Sequence, residues 1–292
     1  MRFLPRPPPI FTHRNIKFNL IIINFMNKKI GLFWLRDDFR VLKNNGLIEA
    51  TLNHDQVVVF YLYKKLTYKY QEAQKWWLSK SLIHFRKNLN KLNINLEIIE
   101  TDSFKIFFEK LFKKNDFSFY WNKVYEPDYL KFDEYLLRNF KNKSISHKIC
   151  KGNTLNEINE IKKNDGTPFK VFTPFWRTAE KYYIEKIPPK EKIIRKCLKS
   201  KSYFKDSIDP KEILPNENWF KNLENLWLPN EENALKELRN FIKNKIKNYS
   251  DSRNFPNIIG TSKLSPFIKF GQIHVETIWK ECEKIKPKNL GI

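Results

Sequence analysis

Between Lys29 and Cys150 the sequence alternates short apolar runs with longer amphipathic ones. The short runs are KIGLFWL, VVVFYLY, NLEIIE, FSFYWNKVY and SHKIC. The longer runs have helical spacing, as in residues 73–92 and in DYLKFDEYLLRNF. Apolar strands separated by helices are typical of a parallel sheet that is covered on both faces. The pattern predicts an α/β domain over residues 27–150, with a doubly wound, parallel five-stranded sheet.

The remainder of the chain divides into two further parts. Over residues 151–230 the pattern is irregular, polar and often broken by proline, which predicts a long linker that runs over the surface. Within residues 231–292 helical spacing returns in ENALKELRNFIKNKIKNYS and PFIKFGQIHVETIWKECEKI. We therefore expect the α/β domain to be followed by a linker and then by the first helices of an all-α domain.

Residues 1–26 precede the first strand and form an extension outside the predicted fold. They contain several basic residues and no acidic one, as a transit peptide would. Met26, however, directly precedes the first strand-like run, and this favours an over-extended gene start.

Composition limits the class of protein and its surroundings. The 292 residues carry a formal net charge of +23, which indicates a polyanionic partner, although a lysine-rich chain can also result from an AT-rich genome. Cys150, Cys197 and Cys282 lie far apart in the sequence, and no apolar run reaches the roughly 20 residues that cross a membrane. We expect a cytoplasmic protein without disulfides, a zinc site or a membrane span.

The stretch GTSKLSP has the features of an anion-binding loop. Ser265 followed by Pro266 predicts the start of a helix, and Gly260 permits a close backbone approach. The hydroxyl groups of Thr261 and Ser262, with that of Ser265, would then lie near free amides that favour a phosphate or pyrophosphate. The alternative is that Ser265 is only an N-cap and that the other two are ordinary turn residues.

The first strand is followed by WLRDDFR rather than by a glycine-rich turn. This excludes a dinucleotide fingerprint or a Walker loop as the means of binding a nucleotide.

Five motifs, in the same order along the chain, resemble those of the DNA photolyases and their cryptochrome relatives. They are WLRDDFRVLKNNGL, AQKWWLSKSL, YWNKVYEPD, KVFTPFWR and NYSDSRNFPNIIGTSKLSPFIKFG. One departure is Lys43, where the family commonly has an acidic residue. The resemblance implies a light-driven, FAD-dependent lyase that splits cyclobutane pyrimidine dimers in UV-damaged DNA and is monomeric when complete. The alternatives are a cryptochrome-like blue-light photoreceptor and a flavin-free remnant that binds nucleotides or RNA.

The resemblance also implies the residues of an FAD site in the helical part of the chain. Arg253 would face the DNA backbone, since an arginine suits bidentate contact with phosphate. No side chain is assigned a catalytic or metal-binding role, because the cofactor carries the chemistry. The residues that would hold FAD are Tyr249, Thr261, Ser262, Lys263, Leu264 and Ser265.

A second chromophore is implied at the end of the fourth predicted strand. Asn122 and Glu126 match the region in which photolyases of this type often carry a 5,10-methenyltetrahydrofolate antenna. The alternative for Glu126 is an acidic cap on the helix that begins at Pro127.

Two further expectations concern packing and activity. Trp76 and Trp77 share one amphipathic helix, which favours a role in core or interdomain packing over electron transfer. The resemblance implies that only the first helices of an FAD-binding domain are present, so the chain is expected to be C-terminally truncated. It should then expose apolar residues such as Phe267, Ile268, Val275 and Ile278, and should not repair DNA alone.

Overall fold

The structure is a computed structural model that describes residues 29–64, 71–114, 116–185, 193–216 and 218–285. The strands are β1 (Ile30–Leu35), β2 (Val57–Tyr63), β3 (Asn95–Glu100), β4 (Phe117–Asn122) and β5 (His147–Cys150). The α-helices are α1 (Asn45–Asn53), α2 (Glu72–Asn90), α3 (Phe104–Leu111), α4 (Pro127–Asn142), α5 (Phe172–Glu185), α6 (Lys221–Leu226), α7 (Glu231–Asn244), α8 (Tyr249–Ser252), α9 (Ser265–Lys269) and α10 (Val275–Glu283). Within these ranges, no helix combines the length and apolar character that a membrane crossing needs.

The strands form one parallel five-stranded sheet in the order β3-β2-β1-β4-β5. All residues of β2 are buried, as a strand covered on both faces requires. Helices follow each of the first four strands and connect it to the next. The predicted α/β fold with a parallel sheet is confirmed.

Each face of the sheet carries its own apolar core, because successive side chains of a strand point to opposite faces. Leu32 and Trp34 of β1 lie in one core with the aromatic residues of α3 and α4. Phe33 and Leu35 lie in the other core with α2, α7 and α9. The second core therefore joins the sheet directly to the C-terminal helices.

The predicted linker is more ordered than its sequence indicates. It contains α5, a helix that the proline-rich pattern does not reveal. Pro174 is the third residue of α5, and proline is tolerated in the first turn of a helix. The indole of Trp176 packs against Trp279 of α10, with the ring centroids 5.4 Å apart.

Residues 203–208 return to the sheet and cover the edge strand β3. The amide of Ile208 donates to the Ile98 carbonyl at 2.8 Å, and the Ile98 amide donates to Ser207 Oγ at 2.9 Å. The buried Glu97 carboxylate accepts from the amides of Tyr203 and Phe204 at 2.9 and 2.7 Å. These contacts close an edge whose backbone groups would otherwise be unpaired.

The two long C-terminal helices expected from the sequence are both interrupted. The first ends at Asn244 and continues as a 3-10 turn and the short α8. The second is divided into α9 and α10 around Gly271, which has φ +59° and is buried. A Cβ added at Gly271 would lie 2.7 Å from the Asp38 Cα, so the break gives the chain room to pass the segment after β1.

Trp77 of α2 packs between the sheet side and the C-terminal helices. Its ring centroid lies 5.1 Å from that of Phe267, and its Nε1 donates to Gln272 Oε1 at 3.0 Å. Trp76 and Trp77 are both buried, which confirms the packing prediction.

Phe267 is completely buried, and the expectation that it would be exposed was wrong, because the Trp77 face of the α/β domain covers it. Three residues also expected to be exposed are half-buried, namely Ile268, Val275 and Ile278.

Candidate functional site

Gly260 lets α8 pack against the loop of residues 261–265, which we call the TSKLS loop. Gly260 is buried, and its backbone rests on Ser252 at the end of α8. The close approach expected from the sequence is therefore present. It brings Tyr249, the first residue of α8, and Arg253, which follows α8, to the same part of the molecule as the TSKLS loop.

The TSKLS loop has a buried anchor and outward-facing polar residues. Leu264 is 3 % exposed and belongs to the core that includes α2 and α7, whereas Thr261 and Ser265 are exposed. Ser262 is half-buried, and its Oγ accepts from the Leu264 amide at 3.4 Å. Lys263 has φ +56°, a left-handed conformation that turns the chain between these residues. The loop thus presents hydroxyl groups from a fixed base.

Ser265 is not the N-cap of the helix that follows. Leu264 occupies the cap position without a side-chain capping bond, and Ser265 is the first residue of α9. The predicted helix start near Pro266 is confirmed, but the capping interpretation of Ser265 was wrong. Because the exposed Ser265 hydroxyl makes no capping bond, it is accessible to a ligand on this surface.

Tyr249 and Arg253 lie together beside the loop. The Tyr249 ring packs edge-on against Phe241 of α7 with centroids 5.3 Å apart, and the Arg253 guanidinium lies 5.4 Å from the Tyr249 ring centroid. Arg253 is exposed to solvent. Tyr249 is therefore oriented from both sides, while the guanidinium remains available to an external partner.

The surroundings of the loop are positively charged. Lys245 Nζ donates to the Thr261 carbonyl at 3.4 Å, and Lys263 Nζ lies 5.9 Å from the Trp227 ring centroid. Among the described residues, none of Lys245, Arg253 and Lys263 forms a salt bridge. Exposed hydroxyls beside uncompensated positive charges suit a phosphate-bearing ligand.

Asn122, predicted to contact an antenna, lies at the carboxyl end of β4 and is 3 % exposed. Its Nδ2 donates to Asp38 Oδ2 and, at 2.8 Å, to Asn44 Oδ1, while its Oδ1 accepts from the Gly46 amide at 2.7 Å. Both amide protons and the carbonyl oxygen are thus used within the protein. A direct hydrogen bond from Nδ2 to a ligand would require one of these contacts to break.

Glu126 occupies the cap position before α4 but makes no side-chain capping bond. Its carboxylate instead pairs with Lys269 of α9 at 3.2 Å, and its side chain is 44 % exposed. The ion pair links α4 to the helix that follows the TSKLS loop. Asn122, the last residue of β4, is buried, whereas Glu126, four residues later, is half-exposed, so the two side chains lie in different environments.

A buried polar network at the carboxyl ends of the strands was not foreseen. Arg36 pairs with Asp133 of α4 and lies 4.0 Å above the Trp34 ring, while Arg40 donates to the Gly271 carbonyl at 2.8 Å. Burial raises the pKa of the Asp38 carboxyl, against the opposing effect of Arg40. The motif WLRDDFR stands where a glycine-rich turn could have followed the first strand, and the sequence did not indicate that its Arg36, Asp38 and Arg40 side chains would be buried.

His274 is a second buried ionisable group near this network. Its Nδ1 accepts from the Glu276 amide at 3.1 Å and thereby caps α10. Burial, together with the charges of Arg40 and Lys43, lowers the pKa of His274 to about 3.

Lys43, the departure from the family pattern, pairs with Glu276 of α10 at 3.1 Å. Within the described residues, no cluster of three or more His, Cys, Asp or Glu could hold a metal ion.

Comparison with known proteins establishes the family. The DNA photolyase family model matches residues 31–192, and the chain belongs to the photolyase and cryptochrome family. A deoxyribodipyrimidine photo-lyase of Agrobacterium fabrum is 27 % identical over 252 residues, which cover 85 % of this chain and 52 % of that protein. Cryptochrome-2 of Arabidopsis thaliana is 27 % identical over 273 residues, which cover 89 % of this chain and 44 % of that protein.

Solved structures agree with this assignment. A bacterial class III photolyase from Agrobacterium tumefaciens superposes with a TM-score of 0.78 at 26 % sequence identity. The match covers 89 % of this chain and 54 % of that one. The chain thus spans about half the length of these relatives.

Proposed function

We propose that this chain takes part in flavin-dependent, light-driven repair of pyrimidine dimers in DNA. The observation that carries the proposal is the contact of Gly260, just before the TSKLS loop, with Ser252 of α8, the short helix that begins at Tyr249 and ends next to Arg253. A cryptochrome-like photoreceptor is the second candidate, because cryptochrome-2 of Arabidopsis matches at the same identity as the Agrobacterium photo-lyase.

The TSKLS loop would hold the phosphates of FAD. The Thr261, Ser262 and Ser265 hydroxyls can donate to phosphate oxygens, while Leu264 anchors the loop in the core. Lys263 adds positive charge, and Tyr249 forms a wall beside the loop. Hydrogen bonds to a charged group contribute about 1.5–3 kcal/mol each. The residues present therefore fit the group.

Arg253 would contact the phosphate backbone of damaged DNA. It is exposed and lies against Tyr249, so that a DNA strand held by Arg253 would pass close to the flavin residues. A dimer pairs and stacks poorly, and moving it out of the duplex costs less than moving normal bases. The arginine supplies a sequence-independent grip, which should weaken as salt rises.

Bound FAD would supply the light-driven electron transfer that splits the dimer. The side chains of this chain hold and orient; none of them is proposed to exchange a proton with the dimer. The positive charge around the TSKLS loop would balance the phosphates of the cofactor, and the buried Leu264 and Gly260 would hold the loop in a fixed position.

A folate antenna is proposed near the start of α4. The half-exposed carboxylate of Glu126 can accept hydrogen bonds from the N–H groups of a pterin. Asn122 would support this edge of the sheet through Asp38 and Asn44. Binding to the parent chain should quench the fluorescence of added methenyltetrahydrofolate. Loss of this quenching in Glu126→Gln, but not in Lys123→Gln, would support the assignment, whereas equal quenching by both variants would remove it.

A chimaera tests the function as a whole. This chain would replace the matched part of the Agrobacterium class III photolyase, which supplies the remaining half of that protein. We expect a yellow protein that removes dimers from UV-irradiated DNA only under blue light. Photoreduction of the flavin without dimer loss would favour the cryptochrome candidate, whereas a folded but colourless chimaera would favour the flavin-free remnant.

A further inference from the structure

The segment after β1 contacts both ends of residues 231–271, the part of the chain that carries every candidate flavin and DNA residue. We call residues 38–42 the β1 loop. At the start of the 231–271 segment, the Glu231 carboxylate accepts from the amides of Val41 and Leu42, each at 2.8 Å. Glu231 is 7 % exposed, although most glutamates lie at the surface. The first residue of α7 is therefore attached to the β1 loop.

The other end of the segment is attached to the preceding residues of the same loop. The Phe39 amide donates to the Phe270 carbonyl at 3.2 Å, and Arg40 Nη1 donates to the Gly271 carbonyl at 2.8 Å. Gly271 has no Cβ and passes within van der Waals distance of Asp38. Residues 39–42 of the β1 loop thus contact both the beginning and the end of the 231–271 segment.

The β1 loop is itself held in place by the α/β domain. Arg40 is 2 % exposed and its Nη2 donates to the Lys43 carbonyl at 3.2 Å. Asn44 Nδ2 donates to the Arg40 carbonyl at 3.0 Å, and Asp38 accepts from Asn122 of β4. These contacts join the β1 loop to β4 and to the residues just before α1. The α/β domain therefore holds the β1 loop in place independently of residues 231–271.

We propose that the β1 loop is a clasp that positions Tyr249, Arg253 and the TSKLS loop, with Arg40 and Glu231 as its positioning residues. Fixing both ends of the segment reduces the conformations open to the residues between them, and a preorganised site binds more tightly because less order is lost on binding. The identity of the ligand as FAD rests on the proposed function, whereas the existence of the clasp does not.

Hydrogen exchange of the full chain tests the clasp without a ligand. In Arg40→Gln and in Glu231→Gln, amides of residues 249–265 should exchange about tenfold faster or more, the factor expected from losing a hydrogen bond to a charged group. Amides of β2 should be unchanged. Arg36→Gln is the matched control, because Arg36 is also 2 % exposed but pairs with Asp133 of α4.

Uniformly faster exchange throughout the Arg40→Gln and Glu231→Gln variants, or selective exchange of 249–265 in Arg36→Gln as well, would overturn the proposal. If Arg40→Gln does not fold, Arg40→Lys keeps the charge and one donor, and should show the same selective effect at reduced size. If neither Arg40→Lys nor Glu231→Gln speeds exchange selectively in residues 249–265, the proposal is also overturned.

FAD affinity, measured with the parent and variant chains placed in the chimaera with the Agrobacterium photolyase, then separates the clasp from the function. We expect each clasp variant to weaken FAD binding by about tenfold or more, and Arg40→Lys to recover part of the loss. Selective exchange without FAD binding by any form, including the parent, would leave the clasp standing and remove the proposed function. FAD binding that is equal in the parent and in the clasp variants, with unchanged exchange, would remove the clasp and leave the function standing.

Discussion

Gly260 packs so closely on Ser252 that a Cβ added at residue 260 would lie 2.5 Å from the Ser252 Cβ. A real Cβ atom essentially never lies that close to an atom of a distant residue, so residue 260 must lack a side chain for the chain just before the TSKLS loop to rest on α8. The contact explains how Tyr249 and Thr261, twelve positions apart, come to share one surface.

Gly260→Ala should separate α8 from the TSKLS loop. We expect a loss of about 1–3 kcal/mol in the free energy of unfolding, the usual cost of forcing an extra methyl group into a packed site. FAD affinity should fall as well, since Tyr249 and the loop would no longer be adjacent. Urea unfolding and fluorescence titration with FAD measure the two effects, and retention of both values would show that the contact is dispensable.

In the chimaera, which completes the helical domain, Ser262→Ala combined with Ser265→Ala should weaken FAD binding while leaving the fold intact. Each lost hydrogen bond to a phosphate is worth about 1.5–3 kcal/mol, so the pair should reduce affinity by more than tenfold. Thr173→Ala, at an exposed position of α5, is the control. Equal FAD occupancy of the double variant and the control after dialysis would return the serines to a purely local role.

Arg253→Ala should leave FAD bound but change how DNA binding depends on salt. Removing one phosphate contact lowers the slope of log K against log salt by about 1. Arg239→Ala is a matched control, because Arg239 is also exposed but lies on the outer side of α7, away from Phe241. If both variants reduce the slope equally, Arg253 contributes only general charge.

Trp77→Ala should destabilise the protein by about 3–5 kcal/mol, the range for truncating a buried aromatic residue. It removes the ring that contacts Phe267 and the donor that pairs with Gln272. Trp219→Ala removes an indole that is 44 % exposed and should cost far less. Equal losses in chemical denaturation would contradict the role of Trp77 in joining the C-terminal helices to the sheet.

His274→Asn should reduce the sensitivity of the protein to acid. The folded-state pKa of His274 is about 3, below its ordinary value of 6.5, so the unfolded chain binds a proton that the folded chain excludes between these values. Stability is therefore lost as the pH falls through this window. The advantage of the parent over His274→Asn should shrink by about 2 kcal/mol from pH 7 to pH 5. A constant difference would place His274 in a more solvated site.

The sheet was predictable because apolar runs of strand length and the helical runs between them leave few other arrangements. The helix start near Pro266 and the close approach at Gly260 were predictable because proline and glycine have specific backbone preferences. Trp77 was correctly placed in packing by its helical spacing. These features all depend on residues that are close together in the sequence.

Contacts between distant residues were not predictable in the same way. Asn122 ends a strand at a position typical of ligand contacts, yet Asp38, Asn44 and Gly46 occupy its polar atoms. The division of the last helix follows from the close passage of Gly271 past Asp38, which no local preference reports. A single sequence contains no signal for such pairs.

The most direct test is to compare FAD with riboflavin, which lacks the phosphates, in a titration followed by backbone amide chemical shifts. We expect FAD to shift the amides of residues 261–265 and of Tyr249, and riboflavin to leave the loop amides nearly unchanged. In Ser262→Ala with Ser265→Ala, the FAD-induced shifts of the loop should diminish. Shifts of equal size with both ligands, or shifts confined to residues outside 249–265, would contradict a phosphate-binding role for the TSKLS loop.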